Sequence, residues 1–301
     1  MNTLDFFSHK KINDHLYQII ESYAPCSDPG LGTGSRFNIY VVIGGEKAIV
    51  IDTGLGAVDG LRTYIENYIT LQKPLAAYLT HTHPDHVGGA ALFDEVYIHE
   101  DELSDLEWNT DLNRRMSDLE LFANYHQDVI EFCFRHYTKQ APREFFRLIH
   151  EDDIIDLGGI SLEVIKLPGH SRGSVLYYNS TEHYALGGDC VQIMNSYKGG
   201  KDSLNEYEYF LSCLISRMPE DIRIFSGHDS IIHTMDTLHT MKKGLCDVIN
   251  GINLEHDIPK PPRFTMTRNK PQVMMHYVDN LITCYDKDCI INESHTTEVE
   301  I

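Results

Sequence analysis

Positive charge is scarce in this 301-residue chain: 25 Lys and Arg stand against 45 Asp and Glu, a formal net charge of −20. A surface of that sign repels nucleic-acid phosphates and anionic lipid unless basic residues cluster. No such cluster is present, and Lys10-Lys11 and Lys242-Lys243 read as solvated pairs. Long apolar runs are missing as well. No window approaches the roughly 18 consecutive apolar residues of a membrane-spanning helix. The segment Met1-Asn2-Thr3-Leu4-Asp5 has neither the basic nor the apolar region of a secretory leader. These absences lead us to expect a cytoplasmic protein with no nucleic-acid and no membrane partner. The seven cysteines are scattered and contain no CxxC pair, so neither a disulfide framework nor a zinc knuckle is indicated. No internal repeat and no low-complexity tract is found.

What is present is an ordinary globular composition, 42% hydrophobic and 23% charged, enough to bury an α/β core. Phe37 to Ile43 and Lys47 to Asp52 are two β-rich runs around Gly44-Gly45, a hairpin signal. Gly60 to Tyr68 has helical spacing. Leu75 to Thr80 is a short, almost wholly apolar run of the kind expected for a strand buried on both faces, and it ends directly at His81. From Asp101 to Tyr137 the residues Leu112, Met116, Leu119, Phe122, Val129 and Cys133 recur at three- and four-residue steps, which predicts helices. Strand character resumes at Ile160 to Val164, Val175 to Tyr178 and Ile222 to Phe225, with a helix around Tyr207 to Met218. A further helix is expected from Val273 to Cys284. The expected organisation is one domain over 1–291 with a helical insertion at about 101–150 and a disordered tail at 292–301.

The chemistry concentrates in Thr80-His81-Thr-His83-Pro-Asp85-His86-Val-Gly88-Gly89, four potential ligands at the end of an apolar strand. Imidazole and carboxylate hold zinc and related divalent ions, and alternation at 81 and 83 points both rings the same way from an extended segment. Asp85 and His86 follow at an odd offset after a proline that turns the chain, so they face a second position close by. Gly88 and Gly89 are expected to let the backbone pass near the ions as a helix begins. Four residues cannot complete two shells. Further candidates follow strands elsewhere: His170 in Leu167-Pro-Gly-His-Ser, Asp189 in Leu186-Gly-Gly-Asp, and His228 in Phe225-Ser-Gly-His-Asp. His99, His126, His136, His150, His183 and His233 stand in no motif and read as structural or solvent-exposed.

HxHxDH, then PGH, GD and GH in this order resemble the metallo-β-lactamase superfamily over roughly residues 15–235, and Ile51-Asp52-Thr53-Gly54 matches the family's early Asp-Thr-Gly turn. The resemblance implies an αββα sandwich, two mixed β-sheets packed between outer helices. It gives His81, His83 and His170 to one divalent ion, and Asp85, His86 and His228 to a second. Asp189 would bridge the two. Zinc is the expected metal, with iron and manganese suited to the same donors. Asp52 reads as turn-forming and as a support behind the ligands.

Two ions sharing a carboxylate lower the pKa of a water and polarise a carbonyl, so the expected function is a binuclear metal-dependent hydrolase that cleaves a thioester or lactone of a small molecule by metal-activated hydroxide. Asp85 is placed to orient the water or shuttle its proton, and Tyr197 to donate to a substrate carbonyl as a tyrosine does in lactonases. Within the family the chain looks like glyoxalase II, acyl-CoA thioesterase-like members and lactonases. The Pro168-Gly-His-Ser-Arg-Gly-Ser174 run resembles the thioesterase type. His83 stands where diiron flavoproteins carry glutamate, and Asp189 stands where common β-lactamases carry cysteine. The alternatives are an iron-containing redox or oxygen-sensing protein, a β-lactamase-like amide hydrolase, and a metal-retaining binding protein without turnover. The partner expected is a small-molecule substrate, and a homodimer is compatible with the sequence.

Overall fold

The computed structural model describes residues 1–23, 36–70, 73–124, 126–198, 200–260 and 273–287. The segment 292–301, expected to be a disordered tail, lies outside the described residues. A first sheet carries seven strands in chain order: β1 (Phe7–Lys11), β2 (Leu16–Ser22), β3 (Arg36–Ile43), β4 (Ala48–Ile51), β5 (Leu75–Tyr78), β6 (Val96–His99) and β7 (Phe146–Ile149). It is antiparallel from β1 to β4 and parallel from β4 to β7. The second sheet contains β8 (Ile154–Asp156), β9 (Ser161–Lys166), β10 (Val175–Asn179), β11 (Tyr184–Gly188), β13 (Arg223–Ser226) and β14 (Ile232–His233), in the order β14-β13-β11-β10-β9-β8. Only its β11–β13 pair is parallel. The predicted hairpin at Gly44-Gly45 is the β3–β4 pair, in the register Ile43 to Ala48.

Side chains alternate across a strand, so each central strand feeds two layers. In β3, Phe37, Ile39 and Val41 point to one core while Tyr40 and Val42 point to another. In β10, Val175 and Tyr177 join Tyr40 and Val42 between the sheets, whereas Leu176 and Tyr178 face the opposite side. The outer face of the first sheet is covered by α1 (Leu61–Ile65), α2 (Pro84–Val87), α3 (Leu106–Thr110), α4 (Leu112–Phe122) and α5 (Gln127–His136). The outer face of the second is covered by α6 (Lys201–Arg217) and α7 (Met235–Asn250), through Leu211, Leu214, Leu238 and Met241. The layers are therefore helix, sheet, sheet, helix, as expected. Each large apolar side chain withdrawn from water in these cores contributes about 1.5–3 kcal/mol. Among the described residues no helix is long and apolar enough to cross a membrane.

The chain from Val273 to Cys284 is not the expected helix. It forms the hairpin β16 (Val273–Val278) and β17 (Leu281–Asp286), which with β12 (Met194–Ser196) and β15 (Ile258–Pro259) makes a third sheet in the order β12-β17-β16-β15. The two-residue turn Asp279-Asn280 closes it, with Asp279 at a left-handed φ of 53°. Met274, Met275 and His276 are all buried in succession, so this stretch loses the alternation of a half-buried strand, which returns only at exposed Tyr277.

Candidate metal centre

His81, His83, Asp85 and His86 all leave the C-terminal end of β5. Pro84 occupies the first position of α2, where its missing N–H is no loss and its fixed φ suits a helix. His83 is still extended just before it, at φ −60° and ψ 152°, whereas Asp85 and His86 sit on the helical turn itself. This change of backbone sends the two pairs to neighbouring positions. α2 ends at Gly88, and a short 3-10 helix, Ala90–Leu92, begins after Gly89. The role of the two glycines is close approach: a Cβ on Gly88 would lie 2.0 Å from Leu55 O, and one on Gly89 2.3 Å from Thr53 O.

His170 follows β9, Asp189 follows β11 and His228 follows β13, and the structure brings all seven residues together. Three sets of donor atoms each lie within 4.8 Å of one another: His81, His83 and His170; His81, His86 and Asp189; Asp85, His86 and His228. His83 Nδ1 is 3.0 Å from His81 Nε2 and 2.8 Å from His170 Nε2. Asp85 Oδ2 is 3.3 Å from His228 Nε2. Asp189 lies between the groups. Its Oδ1 is 3.4 Å from His86 Nε2 and 3.3 Å from His228 Nε2, while its Oδ2 is 3.4 Å from His170 Nε2.

The outward ring nitrogens are held by the scaffold, which turns the inward lone pairs to the cluster. His86 Nδ1 meets Asp52 Oδ2 at 2.8 Å, His228 Nδ1 meets Arg36 O at 3.1 Å, and His81 Nδ1 meets Thr80 Oγ1 at 3.1 Å. Asp52, at a left-handed φ of 64°, also accepts from Thr80 N at 2.7 Å and from Thr80 Oγ1 at 2.8 Å. It joins none of the three sets and acts by fixing His86 and Thr80.

Electrostatics favour a cation. Burial pushes His81, His83 and His170 down, His170 to about 4, so these rings are neutral near pH 7 with lone pairs available. Burial opposes charge on His86 and His228 too, yet the carboxylates of Asp189 and Asp85 outweigh it for both, with Asp52 acting on His86. His228 rises to about 10. Burial likewise opposes charge on Asp85 and Asp189, but the adjacent imidazoles hold both carboxyls well below the usual range. The buried atoms His86 Nε2 and Asp189 Oδ1 have no hydrogen-bond partner although both face the cluster. Orphaned inward atoms, the neutral imidazoles of His81, His83 and His170, and the ionised carboxylates together fit divalent ions.

Several contributors carry no local motif. Glu102, buried, accepts from Thr82 N at 2.8 Å and Thr82 Oγ1 at 2.7 Å through one oxygen, and from Ser171 Oγ at 2.5 Å and Gly173 N at 2.9 Å through the other. It therefore joins the His81–His86 loop to the His170 loop. Buried Arg115 of α4 donates to Gly88 O and Thr138 O, each at 2.7 Å. Lys198 Nζ lies 3.2 Å from His83 Nε2. Tyr197 sits beside His170, its ring stacked on Tyr207 with centroids 6.2 Å apart and its hydroxyl buried without a partner. Of the histidines outside the motifs, His233 pairs with Asp229 Oδ2 at 2.9 Å and His99 accepts from Asp101 N at 3.2 Å; neither enters the cluster.

Known proteins resemble this chain in sequence and in fold. The model of the metallo-beta-lactamase superfamily matches residues 33–245. Acyl-coenzyme A thioesterase MBLAC2 of Homo sapiens is 32% identical over 203 residues, covering 64% of this chain and 68% of its own. The protein of the same name in Gallus gallus is 28% identical over 274 residues, covering 83% and 92%. Among solved structures, a metallo-beta-lactamase family protein from Thermus thermophilus superposes with a TM-score of 0.56 at 20% identity, over 83% of this chain and 85% of that one, a likeness of fold. The chain belongs to the metallo-beta-lactamase superfamily.

Proposed function

We propose that the chain is a hydrolase that cleaves acyl thioesters of the acyl-coenzyme A class, using two divalent ions, zinc first among them. The ions would be held by His81, His83 and His170 on one side and by Asp85, His86 and His228 on the other, with Asp189 shared. The observation that carries this reading is Asp189, whose two carboxylate oxygens face histidines of both sets at 3.3–3.4 Å. The thioester is supported by two relatives named acyl-coenzyme A thioesterase.

Divalent ions bound there supply Lewis acidity at a carbonyl oxygen and lower the pKa of water. The chain's own residues do the rest. Asp85, partly accessible, orients the attacking water and takes its proton. Asp52, Thr80 and Arg36 O keep the rings of His86, His81 and His228 in place. A bond forms from the water oxygen to the acyl carbon, the carbon–sulfur bond breaks, and the proton passes to the departing thiolate, leaving acid and thiol. Neither a serine nor a cysteine nucleophile is needed, and the buried thiol of Cys190 is pushed up by burial, which suits a bystander.

The test is metal analysis of the purified protein together with hydrolysis of acyl-coenzyme A, S-lactoylglutathione, an acyl-homoserine lactone and a cephalosporin, with His83→Ala as control. Two zinc per chain and acyl-coenzyme A turnover lost in the control are expected. Lactone turnover alone would overturn the thioester reading, and iron without turnover would overturn the hydrolase reading.

A further inference from the structure

Beside the metal centre, His170 and Tyr197 border a small cavity whose remaining wall includes Leu167, Gly169, Cys190, Tyr207, Leu211 and Met241. The wall is mostly apolar, yet two buried polar atoms at the cavity, His170 Nδ1 and Tyr197 Oη, have no hydrogen-bond partner. We infer that this cavity binds one ordered water that joins His170 Nδ1 to the Tyr197 hydroxyl, which makes Tyr197 the residue that positions the His170 ring.

The argument begins with the proton on His170. Its Nε2 faces His83 Nδ1 at 2.8 Å and Asp189 Oδ2 at 3.4 Å, so an ion held among these atoms would take the lone pair of Nε2 and leave the proton on Nδ1. The corresponding outward nitrogens of His81, His86 and His228 each reach a scaffold oxygen; that of His170 does not. A buried N–H without an acceptor is costly, and so is a buried hydroxyl without a partner. One water meets both needs, and the cavity has room for about one.

The Tyr197 side chain is held from three directions. Tyr197 N donates to Cys284 O at 2.9 Å, which ties the residue to β17. Its ring stacks on Tyr207, and its edge lies over Gly169, where a Cβ would approach Cε1 to 3.0 Å. Gly169 has a φ of +148°, so the backbone before His170 and the ring beside it are shaped together.

The inference rests on the metal-centre reading, and Tyr197→Phe tests it because only the hydroxyl is lost. Zinc retention by the full chain against a competing chelator should fall about 10-fold or more, as for other groups that orient a ligating histidine. Thermal melting of the metal-stripped variant should match the metal-stripped wild type. A crystal structure of the wild type should show a water within hydrogen-bond distance of both atoms. Wild-type zinc retention in the variant, or a cavity without that water, overturns the inference. Unchanged retention with a reduced kcat would assign the hydroxyl to the substrate carbonyl and overturn it as well. A wild type that binds no zinc refutes the functional reading instead, and the crystal structure still decides whether the water is present.

Discussion

Asp52 Oδ2 and His86 Nδ1 lie 2.8 Å apart, both deep in the interior, so the carboxylate sets which nitrogen of His86 carries the proton. A bound ion would then displace the proton of His86 Nε2 while Nδ1 keeps its own. In Asp52→Asn an amide that donates toward His86 would favour the opposite tautomer and place a proton on the inward nitrogen. Metal affinity should fall about 10–100-fold, read by chelator competition. Affinity equal to wild type would show that Asp52 serves only the Thr80 turn.

Glu102 gathers four donors from two loops. Glu102→Gln turns one acceptor oxygen into a donor facing donors, and urea unfolding should show a loss of about 1–3 kcal/mol. The stability loss should persist in metal-free protein, since the loops are joined by protein atoms alone. An effect confined to the metal-loaded form would contradict this.

Burial raises the Glu21 carboxyl to about 7, against the opposing hydrogen bonds of Tyr23 and Leu55 N. Its unfolded value is near 4.5, so the native state holds a proton that the unfolded chain releases. Stability is therefore greatest below pH 4.5 as far as this group is concerned, and falls as pH rises to about 7, with a limiting slope of about 1.4 kcal/mol per pH unit. Glu21→Gln should flatten that decline in denaturant titrations of the metal-free protein. A slope identical to wild type between those values would exclude Glu21 as its source.

Arg115 spans Gly88 O and Thr138 O with two guanidinium nitrogens. Arg115→Lys keeps the charge but cannot reach both carbonyls at once, and should cost about 1–3 kcal/mol in chemical unfolding. An unchanged midpoint would mean that the fork is not what anchors α4 to the metal loops.

The legible part of the site is local. His81 to His86 lie in six consecutive residues at the end of an apolar strand, and His170, Asp189 and His228 each follow a glycine after a strand, so spacing alone brings them forward. Glu102 is invisible in the sequence because its partners are Thr82 and Ser171, distant in the chain and joined only by the fold. The β16–β17 hairpin reads as a helix because burial runs through Met274, Met275 and His276 without a break, while one face of the third sheet packs on α7, with Met274 and Tyr285 joining Leu245 and Val248. Alternation disappears in such strands, and the signal that remains is the Asp279-Asn280 turn. Phe146 to Ile149, inside the span that reads as a helical insertion, is the edge strand β7, four residues that period alone does not distinguish from a helix end.

The seven residues come from both sheets: His81, His83, Asp85 and His86 from the end of β5, and His170, Asp189 and His228 from the ends of β9, β11 and β13. During synthesis the first half emerges with an incomplete donor set and waits for the second. With ions bound as proposed, metal capture would be a late event that reports the docking of the two sheets, and uptake kinetics during refolding would be a clock for that docking.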